Sequence, residues 1–184
     1  MITVVHPKDK TTAVLAHLYA GCEARIVDQH HTNKEVRHFL NHAHPFEYLM
    51  LLGHGSDKGL FSRSDDGMAD FDRIIVNKHH AFYLKRQHLL IGIWCHARTF
   101  AEEQHLRGLF SGMFISELSE AAEYGVSTCQ EELDVELDKF VRRLRGLLDE
   151  RVHFSDIPAK LRAMDDVRSP LTTFNYNSIF FING

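Results

Sequence analysis

Cysteine, proline and tryptophan are scarce in this sequence, and long apolar runs are missing. Its three cysteines, Cys22, Cys95 and Cys129, form an odd set with no repeating spacing. That excludes a disulfide framework and favours free thiols in a reducing compartment, the cytoplasm. No stretch approaches the ~20 apolar residues needed to span a bilayer. His6, Lys8 and Asp9 interrupt the apolar N-terminus before it could act as a signal peptide. Neither sign of charge dominates. With 21 Lys and Arg against 25 Asp and Glu, the formal net charge is −4, so neither nucleic acid nor a membrane is expected as a partner. Repeats, low-complexity tracts and linkers are also lacking, so residues 1–184 read as a single domain. A chain of this length buries about 70% of its unfolded surface.

What is present is an alternation of short apolar runs and helical patterns. Ile2 to Val5 reads as a strand, and Thr11 or Thr12 caps a helix carrying Val14, Leu15 and Leu18. Glu23 to Val27 is a second strand; a helix from Asn33 ends before Pro45; Phe46 to Leu52 is a third strand. This βαβαβ order predicts a three-layer α/β/α sandwich around a mostly parallel sheet of about six strands. Residues 57–72 are polar and carry Asp65, Asp66, Asp70 and Asp72, with Leu60–Ser62 and Arg73–Val76 forming a hairpin around them; a flap over a cleft is expected here. Asn77 or Lys78 to Arg86 reads as a helix, Leu89 to Cys95 as a strand, Thr99 to Leu106 as a helix ending at Gly108, and Gly112 to Ser116 as a strand. A short helix over Ser119 to Tyr124 follows. A long helix then opens with a capping box, Ser127 with Gln130 or Thr128 with Glu131, and buries Leu133, Leu137, Phe140, Val141, Leu144, Leu147 and Leu148. After a short helix near Pro158, Phe174, Tyr176, Phe180 and Ile182 alternate with polar residues. They predict a C-terminal edge strand, a candidate homodimer contact.

Two strand ends carry the chemistry. Leu49-Met50-Leu51-Leu52 runs into Gly53-His54-Gly55-Ser56, and Leu89 to Ile93 runs into Trp94-Cys95-His96-Ala97. On neighbouring parallel strands, His54 and Cys95 emerge together in the crevice where such sheets bind ligands, an arrangement suited to a thiol served by an imidazole. Trp94 is expected to pack beneath a helix, and His96 to point away from the thiol.

The ordered pair, 95 − 54 = 41 positions apart, resembles the caspase-like cysteine peptidases, the superfamily of caspases, metacaspases, gingipains and separases. Met50 to Ser56 is similar to the metacaspase-type histidine motif, and Trp94-Cys95-His96-Ala97 to its Cys-Cys-His-Ser motif. The resemblance implies a cytoplasmic cysteine endopeptidase acting on peptide or protein substrates without a cofactor. It implies Cys95 as nucleophile, His54 as proton carrier, and the backbone N–H groups of Gly55 and Cys95 as the oxyanion hole. Two departures stand out. Ile93 occupies the place of the aspartate that such enzymes use to recognise arginine or lysine, which leaves Asp57 or a flap acid, with His96, as candidate substrate-binding residues. The caspase Gln-Ala-Cys-Arg-Gly motif is missing, and the only candidate for maturation cleavage is the Asp65–Asp72 stretch.

Rival readings remain. A catalytically silent member of the same fold would act as a binding or scaffolding module. The 14 histidines, clustered at His30-His31, at His38, His42 and His44, and at His79-His80, raise a metal-dependent hydrolase. His38 and His42 have the i, i+4 spacing of a zinc pair but lack the accompanying glutamate, so no metal site is assigned. A nucleophile-elbow hydrolase is disfavoured because Cys95 lacks flanking glycines.

Overall fold

The structure, a computed structural model, describes residues 1–63 and 71–184; of 71 and 72 only the backbone is described. Asp65, Asp66 and Asp70 of the expected flap therefore lie outside the described residues. In chain order the elements begin with β1 (Ile2–Val5), a 3₁₀ turn (Ala13–Leu18), β2 (Ala24–Val27), α1 (Asn33–His42) and β3 (Tyr48–Leu52). Three short strands follow, β4 (His54–Ser56), β5 (Gly59–Arg63) and β6 (Phe71–Asn77), then a 3₁₀ turn (Lys78–His80) into α2 (Ala81–Leu84). Next come β7 (Leu89–Ile93), α3 (Ala97–Glu103), β8 (Arg107–Ser111), α4 (Leu118–Glu123) and α5 (Gln130–Asp149). The chain closes with α6 (Ile157–Met164), α7 (Pro170–Asn177) and β9 (Ile179–Asn183).

Six strands form one sheet in the order β2-β1-β3-β7-β8-β9, parallel except for β9, which runs antiparallel to β8. Period-2 alternation sorts its side chains onto two faces. Val4, Met50, Leu52, Ile91, Ile93 and Leu109 join a core with the buried stripe of α5. Val5, Leu49, Leu51, Leu90 and Phe110 join another beneath α1, α2 and α3. The architecture is the expected three-layer α/β/α sandwich. β4, β5 and β6 form a separate antiparallel sheet, with the expected hairpin as β5 and β6. Among the described residues no helix is long and apolar enough to cross a membrane.

Four local expectations are corrected. The strand expected at Gly112 to Ser116 lies earlier, at Arg107–Ser111, and the later residues form a loop. Gly108 was expected to end a helix; its φ is +155° and its backbone packs against the Leu90 carbonyl, an approach that no side chain would allow. The alternation through Phe174 and Tyr176 does not make them strand. Ser169 accepts a hydrogen bond from the Thr172 N–H (3.3 Å) and Pro170 opens α7, so the helix-start signal prevails and only Ile179–Asn183 is strand. The capping box expected for α5 does not form: Cys129 occupies the N-cap position without a side-chain bond, and the Thr128 hydroxyl instead donates to Glu132 (2.9 Å).

A methyl group at position 108 would lie 2.2 Å from the Leu90 oxygen. Gly108→Ala is therefore expected to cost roughly 2–3 kcal/mol in urea unfolding; an unchanged midpoint would refute this close approach.

Candidate active site

Strand order reverses between β1 and β3, because β2 lies on one side of β1 and the rest of the sheet on the other. Crevices at the carboxyl ends of strands form at such a switch point. The loop after β1 and the turn after β3 meet there. Gly53 leaves β3 with φ +140°, a conformation natural to glycine, while its N–H still donates to the Ile93 carbonyl (3.0 Å). Gly55 is required for a different reason. A Cβ there would lie 2.2 Å from Trp94 Cδ1 and 2.4 Å from the Gly59 oxygen. Between the two glycines His54 is 4% exposed.

The β3–β7 register pairs Leu52 with Ile93. His54 and Cys95 thus stand at equivalent positions, each two residues beyond the last paired residue of adjacent parallel strands. Trp94 ties the two turns together: its backbone N–H donates to Ser111 Oγ (2.9 Å) and its indole Nε1–H donates to the Ser56 carbonyl (3.0 Å). It packs edge-to-face on Phe100 of α3, as expected, and it also reaches the small cavity beside Cys95.

His54 is held by residues that the sequence reading did not assign to the site. Its Nε2 lies 3.0 Å from Asp9 Oδ2 and 2.8 Å from Thr11 Oγ1. In the neutral imidazole the proton therefore sits at Nε2, shared with the carboxylate, and the lone pair sits at Nδ1. Asp9 Oδ1 accepts from the Thr11 and Thr12 N–H groups (3.1 and 3.0 Å) and from both hydroxyls (3.0 and 2.9 Å). Arg63 Nε of β5 is 3.9 Å from Oδ2. Burial opposes the charge on Asp9, but the hydrogen bonds from His54 and Thr12 outweigh it and hold the carboxyl far below the usual range. Asp9 with Thr11 and Thr12 two and three residues on is an Asx-turn pattern. That was the one local signal available for this carboxylate; its partner lies 45 positions on.

Cys95 leaves β7 at a sharp corner. His96 adopts a left-handed conformation (φ +67°) and its N–H donates to the Gly112 carbonyl (2.9 Å), after which α3 begins. The half-buried thiol does not face His54. Sγ contacts the Phe114 carbonyl at 3.6 Å and Glu120 Oε1 at 3.4 Å, and no hydrogen bond joins it to the imidazole among the described residues. Glu120 is fixed through its other oxygen, which accepts from the Ser116 N–H (2.7 Å), the Ser116 hydroxyl (3.1 Å) and the Glu117 N–H (3.3 Å). Burial, then the charge of Glu120, pushes the thiol well above its ordinary range, so Cys95 is neutral in this arrangement. The cavity at Cys95 measures about 10 Å³, space for about one water. It adjoins a groove of about 210 Å³ formed by Lys10, Thr11, Val14, Ser116, Glu117 and neighbours.

The other candidates fall elsewhere. Asp57 pairs with Lys58 (2.6 Å) and lines a separate cavity with Ile74, Phe100 and Glu103, while His96 is exposed. His38 and His42 stack at 4.2 Å, and His42 Nδ1 bonds the His38 carbonyl (2.7 Å). No group of three or more potential metal ligands is found among the described residues.

Because its folded-state carboxyl sits below the ordinary 3.8, Asp9 contributes stability that is complete above that value and lost as the pH falls through the folded-state value. Asp9→Asn is expected to cost on the order of 2 kcal/mol in urea unfolding near neutrality. The gap from wild type should narrow as the pH drops below about 4; a gap independent of pH would mean that Asp9 is not charged. Glu120→Gln keeps an acceptor for the Ser116 and Glu117 N–H groups but removes the charge beside Sγ. Iodoacetamide labelling of Cys95 should then quicken about threefold or more over a slow wild-type rate. Equal rates would show that Glu120 does not govern the thiol.

Comparison with protein-family models finds no match, and no curated protein or solved structure is significantly similar to the chain.

Proposed function

We propose that this protein is a cysteine peptidase of the caspase-like type, with Cys95 as nucleophile and His54 as its general base and acid. The observation that carries the reading is the placement of these two residues at equivalent positions on adjacent parallel strands, with buried Asp9 on Nε2 so that Nδ1 keeps the lone pair. In the reaction His54 Nδ1 takes the Sγ proton as Sγ attacks the substrate carbonyl carbon. The tetrahedral oxyanion is held by the backbone N–H groups of Gly55 and Cys95; the latter has no backbone acceptor among the described residues. Each such donor is worth about 3–4 kcal/mol where tested. The C–N bond then breaks as the imidazolium returns the proton to the leaving amine, giving a thioester. Water, deprotonated by the same imidazole, cleaves the C–S bond and restores the thiol. Asp9 stabilises the imidazolium formed in each step. Three free cysteines fit a reducing cytoplasm.

One observation favours a second reading, a silent domain that binds rather than cleaves: the thiol faces Glu120 within a cavity that admits no peptide. The peptidase reading requires that contact to be released, by rotation of Cys95 about χ1 or by displacement of Glu120.

Incubation of wild type and Glu120→Gln with a pool of peptidyl acyloxymethyl ketones, followed by intact-mass and peptide mapping, separates the two. An adduct confined to Cys95 and lost in His54→Ala is expected, with kcat/KM on cleaved peptides falling about 10³-fold or more in His54→Ala. Failure of both folded proteins to react with any inhibitor or cleave any peptide would overturn the peptidase reading in favour of the silent one.

A further inference from the structure

The opposite end of the sheet holds a second concavity, remote from Cys95. Beneath the N-terminal edges of β1, β3, β7 and β8, a cavity of about 550 Å³ opens between the sheet and the chain that follows α5. Pockets for small molecules run from about 300 to 1,000 Å³. Its charge is inverted relative to the molecule, whose net charge is −4. Arg107, Arg151, His88 and His153 line it against a single carboxylate, Glu47. Glu47 is already engaged by the N-terminal amine (4.0 Å) and by Arg25 (3.9 Å). Neither Arg107 nor Arg151 takes part in an ion pair or a side-chain hydrogen bond among the described residues. Arg151 adopts a left-handed conformation (φ +55°) just past α5, where glycine is usual, so this guanidinium is brought to the cavity at a conformational cost.

The walls are aromatic. Phe46 is 69% exposed and stacks parallel on His88, centroids 4.6 Å apart and planes 9° from parallel. Tyr48 and Phe154 stack behind them, centroids 6.3 Å apart. A large apolar ring left that open at the mouth of a cationic cavity supplies a stacking platform, and paired guanidiniums match the oxygens of a phosphate. Two arginines within one concavity suit a small anion.

We propose that this cavity binds a mononucleotide-sized aromatic phosphate, its ring stacked on Phe46 and its phosphate held by Arg107 and Arg151. The site does not depend on the chemistry of Cys95. Titration calorimetry of the full chain with the four ribonucleoside 5′-monophosphates tests it, with free nucleosides and inorganic phosphate as controls. At least one monophosphate should bind at one site per chain, more tightly than either control and more weakly as salt rises. Affinity should fall about tenfold or more in Arg107→Ala/Arg151→Ala and about tenfold in Phe46→Ala. Phe46, Arg107 and Arg151 are all exposed, so the variants are expected to fold, and circular dichroism checks that they do. The proposal is overturned if none of the four binds at millimolar concentration. It is likewise overturned if phosphate or the nucleoside alone binds as tightly, or if both folded variants bind as wild type does.

Discussion

Much of the carboxyl end of the sheet rests on the hydrogen bond between Asp9 and His54. Both side chains are almost fully buried, 4% and 5% exposed, in a place where an unpaired charge would be prohibitive. The pair is tolerable because both oxygens of Asp9 are engaged: Thr11 and Thr12 fold back on Oδ1, while Oδ2 accepts from His54 and lies 3.9 Å from the Arg63 guanidinium. Arg63 also donates to Glu117 (3.2 Å). One carboxylate thus ties the loop after β1, the turn after β3, the small antiparallel sheet and the entry to α4. Its depressed pKa and the fixed orientation of the imidazole are two consequences of one arrangement.

How much of this was legible depends on the range of the interactions. The parallel strands could be read because each buries residues on both faces and so forms a short apolar run, and His54 and Cys95 because they follow such runs directly. Asp9 could not, since an acid four residues past a strand reads as a solvated loop unless its partner, 45 positions away, is seen beside it. Glu120 escaped for the same reason: its tie to Cys95 spans 25 positions and its other oxygen caps its own helix. β8 was missed because Gly108 looks like a helix terminator, and only the contact with Leu90 explains it as strand. Phe174 and Tyr176 show the opposite error, in which an alternating pattern was trusted over the adjacent Ser-Pro helix start.

Two carboxylates meet the two candidate residues of the crevice, Asp9 at His54 and Glu120 at Cys95. Asp9 contacts the imidazole of His54 at Nε2. Glu120 contacts the thiol itself, where negative charge disfavours thiolate. A cysteine beside an ionised carboxylate is a poor nucleophile. The same crevice therefore holds an imidazole fixed by one buried carboxylate and a thiol kept neutral by burial and by the charge of another.

The packing around the loop after β8 shows which movement could join them at least cost. Asn175 of α7 grips Ile115 on both sides: its Oδ1 accepts from the Ile115 N–H (2.9 Å), and its Nδ2–H donates to the Ile115 carbonyl (2.9 Å). Gly112 is held at the other end by the Ser178 carbonyl (2.7 Å) and by the His96 N–H. The segment between them is pinned. Beyond it α4 is six residues long, with Leu118 40% exposed and only Ala121 buried. So short a helix with so little apolar burial belongs to the weakly held part of a fold. A swing of α4 about Ser116 and Glu117 would carry Glu120 from the thiol without disturbing Ile115, Trp94 or the Asp9–His54 pair. It would also break the Glu117–Arg63 contact and widen the groove beside Thr11 and Ser116.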